Sequence, residues 1–560
     1  MLTLAIFSPL IAAAVAMLVP GHLRAATKVI CLLGALATFG IASWVTWDYY
    51  QGGGKPLSSL VEGRTAAALS AAENARVAPL MRELLARERA TDEERSQLEA
   101  QGKLAIFEHL LELKLAQAAA GGREIRYVEL AAWIPAIRVN YFIGIDGLAV
   151  PIFWLTALLG VICVVYSWTI EKQTKGYFIL FMLLETGLLG VFASLDFFLF
   201  YVFWEVVLLP MYFLIGIWGG PRRIYASIKF FIYTLIGSVL ILLAMLAMYY
   251  RAQPHTFNIL ALQELIPRES IDFQRWIFFA LFIGFAIKVP VFPFHTWLPD
   301  AHVEAPTAVS VVLAGILLKM GGYGFFRFNY PITPAAATEP WIVKMLVVLG
   351  LINMVYGALV AMAQRDFKSL VAYSSISHMG YVLLGMASLT STGVNGAVFQ
   401  MFTHGISSAM LFLLVGVIYD RAHHRVISDF GGLGLQMPVY TGLAIVGFFT
   451  SLGLPGLAGF WSEVMVFLGA WNTSQFAKLY VYIGVLTVVL TAAYILWTIQ
   501  RVYLGTLKEK YAAFRDVTAR EIAALVPLAA LCIIVGVLPH LVLNVQNPAV
   551  GAMLSAVKGR

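Results

Sequence analysis

Apolar residues along this chain come in runs of about twenty, parted by short polar connections and without strict alternation. At 1.5 Å per residue a helix of about 20 residues covers the hydrocarbon of a bilayer. Barrel strands would be shorter and would alternate. About fourteen spans are predicted, near 2–20, 29–49, 146–168, 177–194, 196–217, 226–249, 275–294, 303–327, 341–362, 370–389, 396–419, 435–469, 477–500 and 523–546. The fourth and fifth touch, which requires a tight turn around Asp196. Residues 2–20 have the look of a signal peptide but no basic leader, and another apolar run starts at Val29, so they are read as the first span. The pattern predicts an all-α polytopic membrane protein.

One stretch departs from this rhythm. Residues 52–128 follow a Gly-Gly-Gly turn and are rich in Ala, Glu, Arg and Leu. They predict two extramembrane helices, roughly 61–89 and 92–119. Thr91-Asp92-Glu93-Glu94 fits a capping box at the start of the second. The mixed charge and lack of a catalytic constellation assign this insert a structural or subunit-contacting role.

Composition agrees with the membrane reading: 60 % of the 560 residues are hydrophobic and 12 % charged, against about 25 % charged in a soluble domain. The net charge of +7 is scattered through connections, which argues against nucleic acid. Cys31, Cys163 and Cys532 are isolated in apolar runs, so iron-sulfur or c-type haem ligation within the chain is not expected. Neither a dinucleotide fingerprint nor a phosphate loop is present. Basic residues favour the odd-numbered connections: Arg24 and Lys28, Lys172 and Lys175, Arg222 and Arg223, Arg365 and Lys368, Arg421 and Arg425, then Arg501, Lys508, Lys510, Arg515 and Arg520. The positive-inside rule places these in the cytoplasm, with both termini and the insert outside.

Ionisable residues within the apolar runs are costly there, and so are candidate functional groups. Lys288 lies in IFFALFIGFAIKVPVFPFHTW, where Pro290 is expected to release the carbonyl of Ala286. Glu205 precedes Pro210, which frees the carbonyl of Val206; burial and a nearby lysine would pull its proton affinity in opposite directions, so it can load and unload. Lys319 lies among glycines in SVVLAGILLKMGGYGFF, which permit close helix approach. Glu463 follows a second interruption made by Gly453, Pro455, Gly456 and Gly459. His378 and His404 are suited to pass protons through either ring nitrogen. Ser375, Ser377, Thr403, Ser407 and Ser408 would hold water beside them. Glu185 is also deep, and would join Glu205 or face a neighbouring subunit. Asp146, Asp196, His295, Asp300, His302 and Glu304 fall near predicted helix ends. HTWLPDAH matches no familiar metal spacing, and hydrogen bonding or gating of a water path is expected of it.

The two interrupted spans are the seventh and twelfth, five apart. Two related halves of five spans follow, and an odd number per half forces opposite orientation. Broken helices at matching places point to an ion path. The domain reading is a hairpin of spans over 1–51, the insert over 52–128, the third span and its flanks over 129–176, inverted repeats over 177–328 and 329–504, and a closing loop and span over 505–560.

The segment PVFPFHTWLPDAHVEAPTAVSVVLAGILLKMGGYG, residues 290–324, resembles the antiporter-like subunits of respiratory complex I. FYVFWEVVLLPMYFLIGIWG, SSISHMGYVLLG, FTHGISSAMLFLLVG and GLPGLAGFWSE agree with it. The resemblance is strong from about 130 to 510. It implies that Glu205 pairs with Lys288, that Lys319 is the central lysine, that His378 and His404 are relay histidines and that Glu463 stands on the broken twelfth helix. Sibling L and N chains, and the related cation/proton antiporter subunits, tend to carry lysine there. The insert departs from the usual pattern.

The resemblance implies a proton-translocating subunit of NADH:quinone oxidoreductase. A change at Glu205–Lys288 would act on Lys319, and the proton would pass along His378 and His404 toward Glu463 and the outer face. No cofactor is expected in this chain; FMN, iron-sulfur clusters, NADH and quinone would belong to partner subunits. Expected partners are other membrane subunits, with the L and N chains as neighbours, together with lipid, water and protons, and the expected location is the bacterial inner membrane. The rival readings are a subunit of a multi-chain Na⁺/H⁺ antiporter, a non-transporting scaffold, and a haem anchor using His378 and His404.

Overall fold

The computed structural model describes residues 1–72, 78–87, 91–100, 103–121 and 123–559. Among them, eleven helices are long and apolar enough to cross a membrane. Leu2–Leu18 and Pro438–Leu452 are apolar but shorter, and Ile271–Lys288 is apolar apart from Asp272, Gln274, Arg275 and Lys288.

Each predicted interruption has a local cause. The fifth run forms Phe197–Val206 and Leu208–Trp218, parted at Val207 one turn before Pro210. The seventh forms Ile271–Lys288 and Trp297–Glu304. The Ala286 carbonyl expected to be free is not: Val291 N–H donates to it at 2.8 Å. The chain turns wide at Pro290 and returns a later donor. In the twelfth run, Pro438–Leu452 and Ala458–Asn472 are separated by Gly453 and Gly456 at φ +78° and +90°, a region open to glycine at little cost. The eighth, Thr307–Ile332, contains π-helical turns at Leu313–Leu317 and Phe325–Asn329.

The chain is not all helix. Arg126–Ile134 and Val139–Ile145 form an antiparallel hairpin, running from the end of the predicted insert into the segment assigned to the third span's flank. Its aromatic and β-branched residues, turned at Pro135, favour strands once outside the hydrocarbon. The hairpin seats on its neighbours: Leu195 N–H donates to Phe142 O at 2.9 Å and Thr3 Oγ1 lies 2.8 Å from Tyr141 Oη. A second correction concerns the C-terminus. The span expected over 523–546 ends as Ala519–Val537, and His540–Lys558 is a separate helix. Pro539, lacking an N–H, begins it. Gln546 Nε2 ties it to Asn395 O at 2.8 Å.

The insert contains Leu57–Ala72, Ala78–Arg87, Asp92–Ala100 and Leu104–Ala120. Positions 73–77, 88–89 and 101–102 of the two predicted helices lie outside the described residues. Thr91 and Glu94 make the capping box, with Thr91 N–H donating to Glu94 Oε2 at 2.8 Å and Glu94 N–H to Thr91 Oγ1 at 3.3 Å. Glu108 is buried between Arg95 and Arg138. Glu112, also buried, is pushed by desolvation from 4.5 up to about 7. The folded insert therefore holds a proton that the unfolded chain releases, so its stability is full below pH 4.5 and falls as pH rises through about 7. Glu112→Gln is expected to flatten that dependence, as read by amide exchange of the Leu104–Ala120 helix in the purified complex; an unchanged profile would contradict it.

Two membrane faces emerge. On the insert face, Thr473 Oγ1 bonds Ser388 O and Arg123 reaches Gln263. The basic connections meet on the opposite face, where Lys28 donates to Trp168 O, Arg222 pairs with Asp300, Arg425 with Asp366 and Arg421 with Glu521. Two helices that follow a connection begin alike. Asp196 caps Phe197–Val206 and bridges to Asn258; Asp366 caps Phe367–Ala387 and bridges to Val426. An Asp-Phe pair opens both helices, a signal present in the sequence but too short to find by eye.

Candidate site: a buried row of ionisable side chains

Lys319 is fully buried midway along Thr307–Ile332. The π turn at Leu313–Leu317 loosens the backbone ladder just before it, and Lys319 Nζ donates to Ala314 O at 2.5 Å. Its second contact is His404 Nδ1, at 2.7 Å. The His404 ring centroid lies 5.6 Å from that of His378. Nδ1 of His378 is 3.7 Å from Glu463 Oε1, and its Nε2 is 3.0 Å from Ser451 Oγ. Four predicted residues, from four helices, thus form one row. The broken twelfth helix makes room for its end: a Cβ on Gly453 would lie 2.6 Å from Glu463 Oε2.

The other two predicted residues stand apart. Lys288 is 1 % exposed, and its Nζ has no hydrogen-bond partner. It lies 5.3 Å from the Trp204 ring and 5.5 Å from the Phe230 ring. Glu205 is within electrostatic range of it, but no contact under 4 Å joins them among the described residues. Glu205 is half-buried, with Tyr201 beside it. Gly321 brings the Lys319 helix against Lys288, since a Cβ there would sit 2.7 Å from Phe285 O and 3.1 Å from Lys288 Cβ. The backbones touch; the two ammonium groups make no direct bond. Buried polar atoms such as Lys288 Nζ, Glu205 Oε1 and His404 Nε2, without protein partners, are ordinarily satisfied by water.

The serines and threonine expected beside the histidines turn mostly to the backbone. Ser377 donates to Met354 O at 2.8 Å and Ser408 to His404 O at 2.5 Å. Thr403 instead reaches Ser462 at 3.1 Å. Glu185 is interior at 2 % exposure, packed on Gly160 and facing a small cavity lined by Val312 and Ile316.

Two further residues of the neighbourhood lie deeper than the sequence suggests. His302, assigned to a helix end, is fully buried, stacked on Phe412 at 4.3 Å, with both ring nitrogens unpaired. Lys319 and Lys368 both act on it electrostatically. Lys368 counts as a connection charge in the sequence, yet it is 4 % exposed and donates to Ala305 O at 2.5 Å. It lines, with Glu304 and Arg425, a cavity of about 170 Å³ on the basic face. The rest of HTWLPDAH disperses: His295 meets Tyr356 at 3.2 Å, and Asp300 meets Lys229 at 2.7 Å. No three His, Cys, Asp or Glu side chains group as metal ligands among the described residues.

Comparisons with known proteins identify the family and the fold. Residues 194–491 match the family described as NADH:quinone oxidoreductase/Mrp antiporter, transmembrane. NADH-quinone oxidoreductase subunit M of Rhodobacter capsulatus is 45 % identical over 444 residues, covering 77 % of this chain and 85 % of that protein. A chain of the respiratory complex I from Thermus thermophilus with bound NADH superposes over all of both chains, with a TM-score of 0.77 and 27 % identity. A chain of the Mrp complex from Dietzia sp. DQ12-45-1b shares the fold, with a TM-score of 0.68 and 21 % identity over 90 % of this chain and 99 % of that one.

Proposed function

The chain belongs to the NADH:quinone oxidoreductase/Mrp antiporter transmembrane family, and on that premise we propose that its buried row carries protons across the membrane as the M-type subunit of a respiratory complex I. It is a proton-translocating membrane subunit of NADH:quinone oxidoreductase, an enzyme complex whose other subunits are its partners. The L and N chains are its proposed neighbours. FMN, iron-sulfur clusters, NADH and quinone are proposed to reside elsewhere in the complex.

The observation that carries the reading is the continuity Lys319, His404, His378, Glu463, with steps of 2.7 Å, a ring-to-ring 5.6 Å and 3.7 Å. This reverses the expected order of the histidines: His404 takes the proton from Lys319, and His378 hands it to Glu463. Lys288 stands on a neighbouring helix whose backbone meets the Lys319 helix at Gly321, and its charge, with that of Glu205, is proposed to act on Lys319 across that contact. Moving one proton against 100 mV requires about 2.3 kcal/mol. One pKa unit is about 1.36 kcal/mol, so a swing of roughly two units at a single carrier suffices.

The fold is proposed as fourteen spans: the eleven long apolar helices, Leu2–Leu18, the broken pair Ile271–Lys288 and Trp297–Glu304, and the broken pair Pro438–Leu452 and Ala458–Asn472. The matching Asp caps and breaks support two inverted five-helix repeats. The clustering of basic connections supports a cytoplasmic location for that face, which leaves the insert and both termini periplasmic at the bacterial inner membrane. Proton entry through the cavity at Lys368 and onward past His302 fits this orientation.

Lys288→Ala, in vesicles holding the assembled complex, is expected to cut NADH-driven proton uptake severely while subunit content stays normal. Normal pumping at normal content would refute the assignment. Cation-driven antiport without a redox donor would favour the Mrp-like reading instead.

A further inference from the structure

Between Lys319 and the insert lies a second buried charge cluster that the relay does not use. Lys319, Tyr323 and Arg327 recur every four residues, so they share a face of Thr307–Ile332. Arg327 is about 12 Å beyond Lys319 along the axis. It is 1 % exposed. Its Nε donates to Tyr323 Oη at 2.9 Å and its Nη2 to Asp146 Oδ1 at 2.6 Å. Gln263 Nε2 donates to Arg327 O at 2.9 Å, and Gln263 Oε1 accepts from Arg123 Nη2 at 2.6 Å. Arg123 comes from the end of the insert, is 5 % exposed and lines a cavity of about 340 Å³ on that face. Nη1 of Arg123, Nη1 of Arg327 and Oδ2 of Asp146 have no protein partner. A polar track therefore runs from a surface cavity to within two helical turns of Lys319.

Such a track invites protons back from the outer side, yet its two middle stations are guanidiniums. Arginine cannot give up its proton in a protein, so it cannot relay one. Fixed positive charge in a narrow polar path repels protons and cations. Burial lowers Arg123 only to about 10, which leaves it charged at neutral pH.

We propose that Arg123 and Arg327, held by Asp146 and Gln263, form an electrostatic seal on the outer end of the Lys319 helix, and that the insert serves to deliver Arg123 to that seal. The insert then insulates the pump: it keeps protons already exported from returning to Lys319 through the cavity. Arg123 acts as a positioning residue, through charge and not through chemistry. The inference rests on Lys319 being a proton carrier.

The test is passive proton leak into vesicles holding the whole complex, with an imposed pH gradient and no NADH. Arg123→Gln is expected to raise the leak severalfold with subunit content and NADH:quinone electron transfer unchanged, and Arg123→Lys to keep the vesicles tight. Tight vesicles with both variants, or equal leak with both, would overturn the seal. Should Arg123→Gln lower assembly, Gln263→Glu neutralises the same guanidinium without removing it; it is expected to leak, and tightness would count against the proposal. Combining Arg123→Gln with Lys319→Met separates the two readings. Loss of the leak places its endpoint at Lys319, whereas a persistent leak refutes Lys319 as the carrier and, with it, a seal that guards Lys319.

Discussion

Lys319→Met is expected to abolish proton translocation through this chain in an otherwise assembled complex. The ammonium of Lys319 is the group that contacts His404, and methionine fills its volume without binding a proton. A proton left without a carrier meets a desolvation barrier of several kcal/mol. At about 1.36 kcal/mol per tenfold in rate, a drop of roughly 100-fold or more follows. Quenching of a pH-sensitive dye by NADH-energised vesicles reads this directly. Translocation within twofold of the parent, at equal subunit content, would show that protons bypass the middle of the row. Lys319→Arg sharpens the result: it keeps the charge but cannot release a proton, and it too is expected to fail.

Glu463→Gln should have an effect of similar size, for a different reason. Glutamine keeps the shape of the side chain against Gly453 and His378 but has no titratable proton, so the row loses its last station. Proton uptake is expected to fall about 100-fold, by the same conversion of barrier to rate. Glu463→Lys restores a titratable group, of the type that sibling chains carry at the broken helix, and should recover part of the activity. Full activity in Glu463→Gln would move the exit elsewhere. Equal failure of the Gln and Lys variants would mean that packing near Gly453, and not proton binding, is what the position requires.

The six candidate site residues were legible because an ionisable group in a twenty-residue apolar run is expensive and stands out against its neighbours. The interruptions at Lys288 and Glu463 were legible from Pro290, Gly453 and Gly456, since proline and glycine act on their own backbone. Arg327 and Lys368 were not singled out. Arg327 lies near the predicted end of its span, where a basic residue ordinarily reaches water, and Lys368 follows a connection that carries other charge. Both are buried because distant segments cover them: Asp146 and the insert around Arg327, and the Ala305 turn over Lys368.

Sequence alone determined that the chain is a helical membrane protein, where two of its helices break, and that Lys319, His378, His404 and Glu463 are held away from water; these follow from hydrocarbon thickness, backbone geometry and the cost of burying charge, all local to a few turns. Tertiary structure alone decided that Lys319 meets His404, 85 positions further along the chain, that His404 lies next to His378, and that Arg123 reaches the Arg327 cluster. It also decided that Arg126–Ile145 pairs as strands and that Pro539 starts a new helix. A pattern of apolar residues says that a face is buried but not against what, because hydrophobic attraction has no direction; partners are chosen by close-packed shape and by hydrogen bonds between residues far apart in the chain.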